Sequence, residues 1–270
     1  MELRRIIIVT LVCLAVATGL LALARAADAA SGTALMVHAG AGIRPPLDEL
    51  GEMFQRRTGV RVDYNYKGSG CLLADICFSR TGDVYIPGEL FYVQQARDRG
   101  FIRDQRTVAR MSTIIIAQRG NPRNIRSLRD LTRSGLRVGL GDPEAVAAGR
   151  AAVETLDNAG LRVAVQRNVV MTALNVIELG NAVKLRHLDA AIVWDATAAL
   201  FGDQIAAVSI PAAQRVECPV PVATLTFSEH PREAAQFMAF LAGEEGARVF
   251  REHGYEVPTN VQEQQEETSS

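Results

Sequence analysis

Apolar and polar positions along the chain change period repeatedly, from strand-like to helix-like and back. Ala34–His38 is a short apolar run that predicts a strand, and Ala39-Gly40-Ala41-Gly42 is a small-residue turn after it. Pro45 and Pro46 suit the first turn of a helix, where a missing N–H costs little. Leu47, Leu50, Met53 and Phe54 then recur at helical spacing, and Gly59 is a stop signal. Val60–Tyr66 alternates as a strand, Gly68-Ser69-Gly70 turns the chain, and a helix is predicted from about Cys71 to Ser79. Asp83–Ile86 predicts a strand and Phe91–Arg99 a helix closed by Gly100.

The second half repeats the theme. Met111–Gln118 is a continuous apolar run, the pattern of a buried strand. Arg137–Leu140 predicts a strand, and Gly141-Asp142-Pro143 leads into a helix that runs to Asn158-Ala159-Gly160. Val163–Gln166 predicts a strand, Leu174–Arg186 a helix, and Ala190–Trp194 a strongly apolar strand with Asp195 opening the next helix. Val220–Phe227 predicts a strand and His230–Gly246 one long amphipathic helix. Alternating strands and helices argue for α/β layering.

Three times a strand runs through a Gly- or Ser-rich turn into a helix: at Ala39–Gly42, at Gly68–Gly70 and at Gly141–Pro143. Such turns aim free backbone N–H groups and the positive end of a helix dipole at one spot, which makes an anion site without charged side chains. Open sheets gather ligands at the carboxyl ends of their strands.

Composition narrows the class. The chain has 29 basic and 30 acidic residues, so nothing argues for nucleic acid as a partner. Residues 1–29 read as a signal peptide: Arg4 and Arg5, an uncharged apolar run from Ile6 to Ala24, then small-residue sites at Ala24-Arg25-Ala26 and Ala27-Asp28-Ala29. The competing reading is a retained anchor. About 240 residues follow, enough for one large domain or two smaller ones. Residues 261–270 are polar and predict a disordered tail.

Cys71, Cys77 and Cys218 follow the signal, an odd count that excludes a pure disulfide scaffold. In a regular helix Cys77 stands about 600° of rotation beyond Cys71, on a different face, so the two are not expected to pair. The thiols read either as small buried apolar residues or, if they converge, as a soft-ligand site. Asp195 reads as a helix N-cap or as a cleft carboxylate, Glu89 as a loop or helix-start residue, and His38 as a packed histidine. Histidine spacing fits no metal motif, and Ser69 lacks the wider nucleophile-elbow pattern, so no enzyme is predicted.

From about Ala34 to Gly254 the chain resembles the periplasmic molybdate-binding proteins, within the type II solute-binding proteins of ATP-driven importers. RVGLGDPEAVAAG at Arg137–Gly149, YKGSGCLLADI at Tyr66–Ile76 and HLDAAIVWDA at His187–Ala196 carry the likeness, and Glu233–Tyr255 resembles the closing helix. The resemblance implies a two-lobed type II fold with the ligand in the cleft between lobes. It implies a first lobe of residues 33–115 plus 219–260 and a second of 116–218, closing by a hinge on binding.

It also implies ligand donors at Gly42, Ser69, Ala148, Val170 and Trp194. At Gly42 the family's serine hydroxyl is missing, and at Trp194 an indole N–H replaces a phenol. Ser69 and the backbone N–H groups of Ala148 and Val170 would hold the anion. The implied ligand is molybdate or tungstate, without a cofactor. The implied partner is the membrane permease of an ABC importer, and the implied state a periplasmic monomer. Two alternatives stay open: the same fold binding a thiol-seeking metal or metalloid through cysteines, or a sensory, partner-binding periplasmic protein.

Overall fold

The computed structural model describes residues 32–257. The expected signal peptide and polar tail lie outside the described residues. Among those described, no helix is long and apolar enough to cross a membrane.

The chain opens with β1 (Ala34–Gly40), whose buried Leu35, Val37 and Ala39 face the core. A 3-10 turn over Ala41–Ile43 delivers it into α1 (Arg44–Thr58). Pro45 and Pro46 occupy the first turn of α1, and Gly59 ends it at φ 77°, a left-handed conformation that favours glycine. Then come β2 (Arg61–Lys67), α2 (Ser69–Ser79), β3 (Val84–Ile86) and α3 (Leu90–Arg97). The next strand, β4 (Ile102–Gln118), spans 17 residues and begins well before the predicted apolar run.

After β4 the chain forms β5 (Val138–Gly141), α4 (Ala147–Asn158), α5 (Arg162–Gln166), β6 (Val169–Ala173), α6 (Val176–Lys184), β7 (Ala190–Trp194), α7 (Asp195–Phe201) and β8 (Ile205–Val208). It returns through β9 (Glu217–Leu225) and closes with α8 (Pro231–Leu241) and α9 (Glu244–Glu252).

Two α/β lobes share β4. Its first part pairs antiparallel with β9, from Ile102↔Leu225 to Ser112↔Glu217, beside the order β2-β1-β3-β9. Its last part pairs with β7 and β8, next to β5 and β6. The crossover is pinned at one rung: Thr113 N–H donates to the Val216 carbonyl at 2.9 Å, and the Thr113 hydroxyl accepts the Val216 N–H at 3.0 Å. One apolar cluster fills the first lobe and runs on through α6 and β7 into the second, which also has a cluster of its own. Phe54 and Phe237 meet edge-to-face at 5.1 Å in the first, while Ile125, Leu131, Leu156 and Ile192 fill the second.

Two predicted elements differ. Val163–Gln166 is a helical turn rather than a strand. Only Val165 is buried there, and the turn ends where the Asn168 amide donates to the carbonyls of Leu131 and Arg133. The strand comes later, as β6. The single C-terminal helix is broken into α8 and α9 at Gly243, whose backbone is extended; Gly246 then packs so closely on the Leu241 carbonyl that any side chain there would overlap it.

Candidate functional site

The turns that follow the strands converge between the lobes. They enclose a cavity in which the centres of water-sized molecules can occupy about 30 Å³. That is room for a small ion and far below the several hundred Å³ of organic-ligand sites. The first lobe contributes Gly40–Ile43, Lys67–Ser69, Gly88, Met111 and Tyr255; the second contributes Val146–Ala148, Asn175, Val176, Trp194 and Thr197.

The Ser69 turn is held on three sides. Ser69 is buried, and its hydroxyl oxygen accepts the Gly88 N–H at 3.0 Å. A hydroxyl that accepts in this way keeps its own proton to donate. The Ser69 carbonyl accepts the phenol of fully buried Tyr85 at 2.9 Å. On the far side the flanking glycines touch the other lobe. A Cβ at Gly68 would lie 2.5 Å from the Leu174 carbonyl and 2.6 Å from that of Ala145, and one at Gly70 would overlap the Glu144 carbonyl. Both glycines are therefore needed for the lobes to meet.

Five helix starts border the cavity, those of α1, α2, α4, α6 and α7. The first N–H groups of a helix have no intrahelical acceptor, and the dipole places partial positive charge there. Of the described residues in the lining, Lys67 carries the one formal charge, and its ammonium is tied to Asp75 at 2.6 Å. No carboxylate is in the lining. The wall is thus a set of neutral donors suited to an anion.

Gly42, Ser69, Ala148 and Trp194 all border this cavity. Trp194 ends β7 and is 4% exposed, and Ala148 lies in the first turn of α4. Val170 does not join them. It points outward from β6, 61% exposed, because strand alternation puts its neighbours on the other face. Asn175 and Val176, one turn further on, line the cavity instead.

Asp195 is outside the lining. Its carboxylate accepts the Ala196 N–H at 2.8 Å, but Asp195 is the first residue of α7 and not the N-cap read from sequence, a position that Trp194 takes without a side-chain cap bond. Burial raises its pKa, against the pull of backbone N–H groups from Ser112 and Ala196. Cys71, Cys77 and Cys218 are free and none of them lines the cavity. Burial, with Glu89 and Glu154 nearby, pushes the Cys218 thiol up to about 12. No cluster of three or more metal-ligating side chains occurs among the described residues. His38 is packed, with Nε2 at 3.0 Å from the Thr81 carbonyl and Nδ1 at 3.1 Å from the Asn65 amide.

Three features escaped the sequence. Tyr255 donates to the Gly42 carbonyl at 3.0 Å, so the last described turn of the chain anchors the first. Thr197 brings a buried hydroxyl to the cavity wall. Glu89 bridges the lobes: its carboxylate accepts from Arg150 Nε at 3.2 Å, and the Arg150 guanidinium stacks 3.7 Å over the Phe91 ring. Burial raises the Glu89 pKa despite Arg150. Only the likeness of Glu233–Tyr255 to the family's closing helix hinted at any of these.

Residues 35–256 match the bacterial extracellular solute-binding protein family, and the chain belongs to it. The molybdate-binding protein ModA of Mycobacterium tuberculosis is 28% identical over 226 residues, covering 83% of this chain and 85% of its own. The periplasmic molybdate-binding protein of Azotobacter vinelandii superposes with a TM-score of 0.74 at 19% identity, over 83% of this chain and 100% of that one. The sulfate-binding protein SubI of Mycobacterium tuberculosis superposes at 0.76 with 18% identity, over 84% and 88%. These structural likenesses establish the two-lobed type II fold. The chain is a solute-binding protein rather than an enzyme.

Proposed function

We propose that this protein captures a small tetrahedral oxyanion of the molybdate and tungstate kind outside the cytoplasm and delivers it to the permease of an ABC importer. The observation that carries the proposal is the cavity itself: about 30 Å³, walled by helix starts and hydroxyls, with no carboxylate in its lining. In such a site each charge-assisted hydrogen bond contributes about 1.5–3 kcal/mol. A dianion of this size satisfies many of them at once. The named function of the Mycobacterium tuberculosis and Azotobacter vinelandii relatives supports the same ligand.

In this reading the lobes comprise residues 33–115 plus 219–260, and 116–218, hinged where β4 and β9 cross. Gly42, Ser69, Ala148 and Trp194 border the ligand. Val176 takes the place expected of Val170, offering the first N–H of α6. The free thiols stand outside the site, which argues against a soft-metal ligand.

Sulfate is the second ligand of the right size, favoured by the SubI likeness. Calorimetry with molybdate, tungstate, sulfate and phosphate separates the readings. Saturable binding is expected for molybdate and tungstate, at least about tenfold tighter than for sulfate, a margin of about 1.4 kcal/mol. Binding of none of the four would overturn the proposal.

A further inference from the structure

Thr197 Oγ1 is one of two buried side-chain polar atoms, among the described residues, that have no hydrogen-bond partner; Tyr92 Oη is the other. Thr197 is 1% exposed and lies one helical turn beyond Trp194, and both border the cavity. Threonine in a helix commonly donates back to the carbonyl four residues earlier, but here it does not. A buried hydroxyl left unpaired carries its full desolvation cost, and native proteins keep one where something else binds.

The position of this hydroxyl is specific. A Cβ built on Gly42 would stand 3.5 Å from Thr197 Oγ1 and 2.8 Å from Val176 Cγ2. The place a side chain of the first turn would occupy is therefore partly filled from the opposite lobe. Gly42 belongs to the turn after β1, whereas Thr197 and Val176 come from α7 and α6. The Gly42 backbone is meanwhile fixed by the Tyr255 phenol on its carbonyl, so the turn does not shift to make space.

We propose that Thr197 is a ligand-binding residue whose hydroxyl donates to an oxygen of the bound oxyanion, doing from the second lobe what a serine at Gly42 would do from the first. This rests on the oxyanion reading above. A donor on the second lobe, facing Ser69 on the first, also ties ligand capture to closure: both hydroxyls reach one anion only when the lobes meet.

The test is calorimetry and thermal unfolding on the full chain, wild type against T197V, T197S and S69A, with sodium molybdate, tungstate, sulfate and phosphate as probes. Valine matches the shape of threonine and lacks the donor. T197V is expected to unfold at the same or a higher temperature without ligand, since the unpaired hydroxyl is gone. It is expected to bind the preferred oxyanion roughly tenfold to a hundredfold more weakly. T197S should stay within about threefold of wild type, and S69A should lose affinity as T197V does. If T197V binds like wild type while S69A is impaired, the assignment of Thr197 is overturned and the oxyanion function stands. If wild type binds none of the four anions, the function itself is wrong and the assignment falls with it.

Discussion

The backbone N–H of Gly70 donates to the carbonyl of Ala145 at 2.9 Å, and this bond joins the turn that carries Ser69 to the other lobe. Together with the close approach of Gly68 to the Leu174 and Ala145 carbonyls, it makes the Gly-Ser-Gly turn a closure surface as well as a ligand surface. G70A tests this. Alanine favours a helix over glycine by roughly 0.5–1 kcal/mol, so α2 and the ligand-free fold should survive. The added methyl would overlap the Glu144 carbonyl and hold the lobes apart. Expected is a loss of oxyanion affinity of about tenfold or more with an unchanged unfolding temperature without ligand. Calorimetry paired with thermal unfolding reads both.

Arg150 and Glu89 are a second bridge across the cleft, reinforced by the Phe91 ring. Neither side chain lines the cavity, although Glu89 follows Gly88 and Arg150 lies two positions from Ala148, so the pair's contribution is to the closed state. R150A should raise the ligand dissociation rate by roughly tenfold, about 1.4 kcal/mol, and leave the association rate near that of wild type. Stopped-flow tryptophan fluorescence suits the measurement, because Trp194 is the chain's one tryptophan and borders the cavity. Equal dissociation rates for variant and wild type would refute a latch.

Cys218 is buried with its thiol pushed up to about 12, so at neutral pH it holds its proton and is a poor nucleophile. Iodoacetamide applied to the native protein is expected to leave Cys218 unmodified by mass spectrometry. Oxyanion affinity after that treatment should change by less than about twofold, within the range of surface effects. Loss of binding on alkylation would restore the thiol-ligand alternative.

Asp189 anchors the second lobe. It is 2% exposed and accepts the Arg137 backbone N–H at 2.9 Å, Arg137 Nη2 at 3.1 Å and Arg123 Nε at 3.3 Å. Burial works against its charge, but the hydrogen bonds from Arg137 and Arg123 outweigh it and hold the carboxyl below its ordinary value. A carboxyl with a depressed native pKa adds stability that is full above the unfolded value, about 3.9, and is lost as pH falls through the native one. D189N should therefore destabilise the protein by about 2 kcal/mol at pH 7. In urea unfolding followed with pH, the gap between variant and wild type should narrow below about pH 4.

Much of this was legible in local chemistry. Pro45-Pro46 and Gly59 bound α1 because a helix start tolerates a missing N–H and a helix end needs a left-handed residue. Apolar runs marked β7 and the later part of β4, and the Gly-Ser-Gly and Gly-Asp-Pro turns marked two of the walls. Ser69 stood out through its flanking glycines, whereas Ala148 and Trp194 were named only through the family resemblance; all three border the cavity.

What the tertiary structure alone decided depends on residues far apart in the chain. Val170 is turned to solvent and absent from the cavity lining, which Val176 joins, because strand alternation, which one residue of register reverses, sets which face it takes. Thr197, Tyr255 and the Arg150–Glu89 pair had no pattern of their own. A hydroxyl becomes a donor only where packing strips it of other partners, and Tyr255 meets Gly42 across 213 positions of sequence. Periodicity reports which face of an element is buried. Which side chains share a cavity is set by how the lobes meet, and no local propensity encodes that meeting.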